Sequence, residues 1–241
     1  MENVEVHNGP NIRKAVVLLS GGMDSAVLLA DTLAKGFAVT ALSINYGQRH
    51  VKELVAAKTL AQYYQVEHEI ISVPSGILEN LKSSQSGHAE VPEGHYAEDS
   101  MKATVVPNRN MFLLSIAVAR AIALEAHDVL YAAHAGDYAI YPDCRPEFVA
   151  AMQRAVEQCD WNPPELRAPF LRISKANIVA LGLQLNVPFG ETWTCYAGRR
   201  HSCGRCGTCC ERLEAFHLAG AVDPLDYEDR EFWKTAVQHE S

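Results

Sequence analysis

The chain alternates between short apolar runs and longer stretches in which apolar residues recur every three or four positions. The apolar runs, bounded by small or polar residues, predict strands at 15–19, 37–44, 67–73 and 128–133. The longer stretches predict helices at about 26–35, 50–64, 110–126, 147–158, 174–185 and 211–218. Strands that alternate with helices predict an α/β fold, in which a parallel sheet has helices on both faces.

The 241 residues are long enough for one domain with a sizeable core, and we expect a single domain over 1–241. The segment of about 74–105 is richer in Ser, Gly and Glu, and it predicts an insertion that leaves the core. Insertions of this kind often serve as active-site lids or partner contacts.

A loop of small and polar residues follows the first predicted strand and opens the first helix. Its sequence is Ser20-Gly21-Gly22-Met23-Asp24-Ser25. The first N–H groups of a helix lack intrahelical partners and favour an anion, and glycines let the backbone approach a phosphate closely. Asp24 fits an anion site if it orients the loop or helps to hold Mg²⁺.

This loop differs from the common nucleotide loops. It has neither the G-x-x-x-x-G-K-[ST] spacing of a Walker A loop nor the G-x-G-x-x-G of a dinucleotide fold. The alternative is an ordinary Ser/Gly turn that caps a helix. The position between a strand and a helix favours the phosphate site over that alternative.

Further polar residues lie after other predicted strands or before the helix at 110–126. In a parallel sheet such positions share the carboxyl edge, where ligands bind. Taken singly, each group also fits a local turn, because Asn, Asp, Gly and Pro build turns for local reasons. The groups are Asn45-Tyr46-Gly47-Gln48, Pro107-Asn108-Arg109-Asn110, His134-Ala135-Gly136-Asp137 and Tyr141-Pro142-Asp143-Cys144-Arg145.

The charge balance limits the classes of partner. A net charge of −8 and a pI near 5.7 argue against a broad nucleic-acid interface, which needs a basic face. A local basic pocket for ATP is compatible with this balance. No apolar stretch is long enough for a membrane span, and the polar N-terminal residues do not read as a signal peptide. We therefore expect no membrane contact and a cytoplasmic location.

Four cysteines fall within fifteen residues near the C-terminus: Cys195, Cys203, Cys206 and Cys209. Such clustering points to metal rather than disulfides, and four thiolates suit a closed tetrahedral Zn²⁺ site. An iron–sulfur cluster is the alternative metal group. Cys210 is a fifth thiol beside the fourth, so that either Cys209 or Cys210 is formally available; the spacing from Cys206 favours Cys209.

Five motifs together resemble the 7-cyano-7-deazaguanine synthase family of the PP-loop ATP pyrophosphatases. The resemblance runs in order from about 14 to 217. The loop at 20–25 occurs in many adenylating enzymes, whereas the Tyr-Pro-Asp-Cys-Arg motif at 141–145 and the four-cysteine motif are specific to this family and its close relatives. The other motifs are Pro107-Asn108-Arg109-Asn110, Tyr141-Pro142-Asp143-Cys144-Arg145-Pro146-Glu147-Phe148, Thr192-Trp193-Thr194-Cys195-Tyr196 and Cys203-Gly204-Arg205-Cys206-Gly207-Thr208-Cys209.

The resemblance implies an adenine nucleotide α-hydrolase-like fold, related to the Rossmann fold, with a zinc-binding segment at about 191–217. It also implies an enzyme that uses ATP and Mg²⁺ to convert 7-carboxy-7-deazaguanine and ammonia into 7-cyano-7-deazaguanine, a queuosine precursor. An adenylated carboxylate and an amide would be the intermediates. Free ammonia is the expected nitrogen donor, and a homodimer is the expected assembly.

Site residues follow from the same resemblance and from the placement of the motifs. The expected catalytic residues are Asp24, Arg109 and Lys175, with a solvated lysine as the alternative for Lys175. Either Asp137 or Asp143 is expected to accept hydrogen bonds from the deazaguanine, and Arg145 contacts the substrate or pairs with Asp143. The expected nucleotide-binding residues are Leu18, Leu19, Ser20, Gly21, Gly22, Met23, Asp24, Ser25, Ala26, Val27, Leu28, Ile44 and Tyr46.

The segment 134–140 departs from the commoner family versions, in which an acidic residue often precedes the Asp and Ser-Gly follows it. This departure concerns substrate detail. The alternatives in function are another adenylating PP-loop enzyme, such as a tRNA-thiolating enzyme or an amide-forming synthetase, a relative that transfers deazaguanine in phage defence, and a degenerate binding module. The acidic charge disfavours thiolation of RNA, and the intact loop disfavours a module without ATP chemistry.

Overall fold

A five-stranded parallel sheet forms the centre of the molecule, in the order β3-β2-β1-β4-β5. The computed structural model describes residues 12–47, 52–74, 83, 91–96 and 99–237. Most of the predicted insertion at about 74–105 lies outside these residues. The strands are β1 (Lys14–Leu18), β2 (Ala38–Asn45), β3 (Glu67–Ser72), β4 (Asp128–Leu130) and β5 (Glu165–Arg167).

The order of the strands reverses beside β1. After β1 the chain moves outward through β2 and β3, then crosses to the other side of β1 to form β4. Val16 lies in register with Thr40 on one side and with Val129 on the other. A crevice opens at the carboxyl ends of two strands whose connections leave in opposite directions, and here those strands are β1 and β4.

Helices cover both faces of the sheet, as predicted. Val17 faces a core with helices α1, α2, α5 and α6, whereas Val16 faces a second core with α3 and α4. Both valines are fully buried, as expected for a central parallel strand. The helices are α1 (Met23–Ala34), α2 (Lys52–Tyr63), α3 (Arg109–Ala123), α4 (Pro146–Val156), α5 (Lys175–Gln184), α6 (Gly207–Leu218) and α7 (Phe232–Val237).

The predicted helices and strands are present, with shifted ends. Ser174 caps α5, because its Oγ accepts a hydrogen bond from the Asn177 N–H at 3.3 Å. The helix α1 begins three residues earlier than predicted, at Met23, so the end of the glycine loop forms its first turn. Likewise α6 begins at Gly207, within the cysteine motif, rather than at Glu211.

Two elements, β5 and α7, were not predicted from the sequence. The strand β5 has only three residues, too few for a periodic pattern, and it pairs with β4 alone at the edge of the sheet.

Among the residues that the structure describes, no helix has the length and apolar character needed to cross a membrane.

Candidate active site

A cavity of about 290 Å³ opens at the carboxyl ends of β1, β2 and β4, where the strand order reverses. The first loop, the start of α3 and the segment after β4 form three of its walls. The fourth wall comes from the C-terminal part of the chain, through Lys175, Trp193, Thr194, Tyr196, Gly207, Thr208 and Glu211. The motifs predicted at one edge of the sheet therefore meet around one cavity.

Local hydrogen bonds shape the first loop. The Ser20 N–H donates to Ser25 Oγ at 3.2 Å, and the two hydroxyl oxygens lie 3.0 Å apart. The Gly22 N–H donates to Ser20 Oγ, also at 3.2 Å. The loop thus folds around its serines and leads into the first turn of α1, whose N–H groups lack intrahelical acceptors. This arrangement can bind an anion.

Gly21 brings the loop against α2. Its φ of +86° lies in the left-handed region, and a Cβ at this position would lie 2.1 Å from the carbonyl oxygen of Glu53. On its other side, the Gly21 carbonyl accepts a hydrogen bond from the Trp193 N–H at 2.9 Å. Only glycine satisfies both the backbone angle and the close approach.

Three helices bring charged groups together at the base of the cavity. Lys175, the first residue of α5, forms ion pairs with Asp24 of α1 at 3.4 Å and with Glu211 of α6. Only 12% of the Lys175 side chain is exposed, so the alternative of a solvated lysine does not hold. The Nε2 atom of buried His134 lies 3.5 Å from Asp137 Oδ1, so a third carboxylate adjoins this cluster.

The charges in this cluster shift each other's titration. Burial alone would lower the pKa of Lys175, but Asp24, Glu211 and Asp137 outweigh it and raise that pKa, so the lysine stays positive. Burial raises the pKa of Asp137, against the opposing charges of His134 and Lys175. The Oδ1 atom of Asp24 is buried and has no hydrogen-bond partner among the described residues. A buried carboxylate oxygen without a partner fits a hard cation such as Mg²⁺.

Arg109, the first residue of α3, also lines the cavity. Tyr46, Tyr141 and Tyr196 line it beside Arg109 and interact with it electrostatically, as does Glu53 from the first turn of α2. Burial raises the pKa of Glu53 from 4.5 to about 7, although the charge of Arg109 acts in the opposite direction. This part of the cavity therefore combines a cation, a carboxyl group and aromatic rings, which suits a flat polar ligand.

The four predicted cysteines converge at one buried point. Their sulfur atoms all lie within 4.8 Å of one another, and Cys203 Sγ and Cys209 Sγ are 3.9 Å apart. Sulfurs bound to Zn²⁺ at about 2.3 Å in a tetrahedron lie about 3.8 Å apart, so the geometry fits this ion. Backbone N–H groups of Arg205 and Cys206 donate to Cys203 Sγ at 3.4 and 3.3 Å, which favours its thiolate.

Cys210 lies outside this group of four. It packs with Leu213 and Trp233, and its Sγ lies 3.6 Å from the Arg205 carbonyl. The structure thus assembles the set that contains Cys209, as the spacing favoured. That these cysteines bind metal stays a prediction.

A buried arginine ties this segment to the first loop. Arg212 of α6 is fully buried and donates to both carboxylate oxygens of Asp223, at 2.7 and 3.0 Å. It also donates to Thr192 Oγ1 at 2.6 Å and to the Phe189 carbonyl at 3.0 Å. Trp193, which follows Thr192, donates its backbone N–H to the Gly21 carbonyl. Removal of either charge would leave a buried ion unpaired, which is strongly destabilising.

The remaining predicted site residues divide into two groups. Asp143 and Arg145 do not line the cavity: Asp143 accepts a hydrogen bond from the Asn110 N–H at 3.0 Å, and Arg145 donates to the Tyr138 carbonyl at 3.0 Å. No ion pair joins these two side chains in the described chain. The predicted nucleotide-binding residues that line the cavity are Leu18, Leu19, Ser20, Gly22, Met23, Asp24, Ser25, Ile44 and Tyr46, whereas Ala26, Val27 and Leu28 lie in the core.

Sequence reasoning missed several cavity residues, among them Glu53, Tyr131 and Glu211. Glu53 and Glu211 lie on helices where an acidic residue normally faces solvent. Tyr131 follows a strand and is indistinguishable from a core aromatic in the sequence. One signal was available for Glu211, because it stands within the helical run that starts in the cysteine motif.

Known proteins resemble this chain in sequence over most of its length. The profile of the family described as "Queuosine biosynthesis protein QueC" matches residues 14–220. A 7-cyano-7-deazaguanine synthase from Methanoregula boonei is 51% identical over 217 residues, which cover 89% of this chain and 99% of the relative. One from Marinomonas sp. is also 51% identical, over 215 residues that cover 89% of this chain and 98% of the relative.

The fold has a counterpart among solved structures. The NMN synthetase from Francisella tularensis superposes with a TM-score of 0.52, at 18% sequence identity, and covers 95% of this chain and 87% of that one. At this identity the likeness concerns the fold alone.

Proposed function

The chain belongs to the QueC family, and from this premise we propose that it is a 7-cyano-7-deazaguanine synthase of queuosine biosynthesis. It would convert 7-carboxy-7-deazaguanine, ammonia and ATP into the nitrile. The observation that carries this proposal is one cavity that joins a phosphate-type loop to two cationic side chains, Arg109 and Lys175. A carboxylate and a nucleotide both need positive surroundings if they are to react with each other.

The reaction divides into two activations. The substrate carboxylate attacks the α-phosphorus of ATP, which releases pyrophosphate and leaves an acyl adenylate; ammonia then displaces AMP and forms an amide. The amide oxygen attacks the α-phosphorus of a second ATP, which releases a second pyrophosphate; loss of AMP and of the two nitrogen-bound protons then gives the nitrile. The enzyme's contribution is positioning and charge stabilisation.

The chain's own groups have distinct parts in this scheme. The loop at 20–25 would hold the leaving pyrophosphate through the N–H groups of the first turn of α1 and the hydroxyls of Ser20 and Ser25. Lys175 stays charged between Asp24 and Glu211 and would stabilise negative charge as it develops on the phosphates. Arg109 would bind the substrate carboxylate or another anionic group of the bound substrates.

The acceptor of the deazaguanine N–H groups was predicted to be Asp137 or Asp143. The cavity position of Asp137 favours Asp137, because Asp143 is engaged at the start of α3. The contact of Arg145 with the substrate stays a prediction, as do the homodimer and the cytoplasmic location.

Two metal ions belong to the proposal. Asp24, with its unpartnered Oδ1, would hold Mg²⁺, which neutralises phosphate charge when it is bound. Cys195, Cys203, Cys206 and Cys209 would hold Zn²⁺ in a closed site without an open position, which indicates a structural role. The cysteine motif leads directly into α6, so these sulfurs would fix the helix that presents Glu211 to Lys175.

The proposal is tested by mass spectrometry after incubation with 7-carboxy-7-deazaguanine, ammonium, Mg²⁺ and ATP. We expect the nitrile together with AMP and pyrophosphate. Lys175→Met should lower the rate at least about 100-fold because it removes buried transition-state charge. Lys35→Met, at an exposed lysine paired with Asp31, is the matched control and should keep the wild-type rate. A wild-type protein that yields neither amide nor nitrile would refute the proposal.

A further inference from the structure

Glu53 is a cavity residue to which neither the motifs nor the proposed chemistry assigns a task. It stands in the first turn of α2, half-buried, and its carboxyl group faces the part of the cavity formed by Arg109 and the tyrosines. Its backbone carbonyl lies against Gly21, which fixes this turn of α2 next to the phosphate loop. A carboxyl group is thus held at a fixed place beside the expected nucleotide.

This carboxyl group accepts no hydrogen bond from any residue that the structure describes. The charged and titratable groups that act on it are Arg109 from α3 and Tyr46 and Tyr196 from the neighbouring walls. Arg109 attracts it electrostatically, but the dominant effect on Glu53 is burial, which disfavours the ionised form. Because Glu53 lines the cavity, its carboxyl group is accessible to water or to a bound ligand, which can supply the hydrogen-bond donors.

In proteins of known structure, polar groups away from bulk water normally have hydrogen-bond partners. A cavity carboxyl group without a protein donor is therefore available to donors on a bound ligand. A carboxylate binds two parallel donors through its two oxygens, which gives both affinity and orientation. The proposed substrates carry two such pairs: the two hydroxyls of the ATP ribose, and the N1–H and 2-amino groups of a deazaguanine, for which Glu53 would replace Asp137 as the acceptor.

We propose that Glu53 is a specificity-determining residue whose carboxylate accepts hydrogen bonds from a pair of adjacent donors on a bound substrate. The aromatic rings beside it would contact the flat part of the same ligand. The deazaguanine as the source of the donors rests on the proposed function, whereas the ATP ribose as their source does not.

Glu53→Gln tests this role because it keeps the size of the side chain and removes the second acceptor and the charge. Affinities for ATP alone, and for 7-carboxy-7-deazaguanine alone, are measured by calorimetry. We expect the affinity for one of the two to fall at least about 10-fold, as for a lost hydrogen bond to a charged group, while the other stays unchanged. The ligand that weakens identifies the source of the donors.

Glu147→Gln is the matched control, because Glu147 also occupies the first turn of a helix, α4, but is exposed and lies outside the cavity. It should change neither affinity. Two unchanged affinities in Glu53→Gln would overturn the inference, and so would an equal loss for both ligands together with a lower melting temperature. If the wild-type protein binds no deazaguanine, the proposed function fails, yet the ATP measurement still decides the role of Glu53.

Discussion

The first loop and the C-terminal wall of the cavity are built in opposite ways. The loop at 20–25 is held by contacts between residues two to five positions apart, such as Ser20 with Ser25. The wall at 192–212 depends on distant partners: Arg212 pairs with Asp223, Trp193 bonds to Gly21, and the four cysteines lie within 4.8 Å of one another. Contacts between neighbouring residues can be recognised in a short sequence motif. Contacts between distant residues cannot, because the local sequence of one partner does not identify the other.

The comparison predicts that loss of metal affects the C-terminal wall more than the first loop. Cys203→Ser should abolish metal binding, lower the free energy of unfolding by several kcal/mol, and reduce activity more than 100-fold, because binding of the ion also stabilises the fold. Metal content is measured by plasma mass spectrometry, together with the rate of nitrile formation.

Cys210→Ser provides the matched control for this prediction. It removes the adjacent thiol, which lies outside the group of four, and should retain one zinc ion per chain. If Cys203→Ser were to keep its metal and its rate, the wall would not depend on the cysteines.

Gly21→Ala probes the contact between the two regions. The added Cβ would meet the Glu53 carbonyl at 2.1 Å and the Ala57 nitrogen at 2.8 Å, so the loop or α2 must move. We expect a loss of about 2–4 kcal/mol in the free energy of unfolding, measured in urea, and a marked loss of ATP affinity.

Gly36→Ala measures the backbone-angle part of that effect without the steric part. Gly36 has nearly the same φ, +81°, but no atom lies within 4 Å of the position where its Cβ would be. This variant should lose only about 1–2 kcal/mol in the free energy of unfolding, which is the penalty for a left-handed conformation. Equal losses of stability in the two variants would show that the close approach of Gly21 to α2 adds nothing to the effect.

A further effect on stability concerns pH and Glu53. Burial raises the pKa of this carboxyl to about 7 in the folded protein, above its usual 4.5, so the folded state binds more protons between these values. Its contribution to stability is therefore present below about pH 4.5 and is lost as the pH rises through 7.

Glu53→Gln removes this dependence. Urea unfolding should give equal stability for the variant and the wild type near pH 4.5, and a variant more stable by about 1–3 kcal/mol at pH 8. Glu147→Gln should follow the wild-type curve at both values. A variant that is less stable than the wild type at pH 8 would contradict the assigned cause.

The same contrast explains what the sequence could predict. The central strands and helices follow from periodicity, and the first loop and the cysteines follow from spacing. The three-residue strand β5 has no period of its own and exists because β4 offers it an edge. Glu53 and Glu211 reach the cavity only because α2 and α6 pack with those residues facing inward, and this orientation is decided by tertiary contacts rather than by local pattern.

The helix α6 has a thermodynamic consequence. It begins within the cysteine motif and carries Thr208 and Glu211 into the cavity, so the proposed zinc site and the proposed substrate site share one helix. Any coupling between two sites is reciprocal: a factor by which zinc tightened substrate binding would be the factor by which substrate tightened zinc binding. With such coupling, a cell with substrate to spare would protect the zinc-bound protein from chelators.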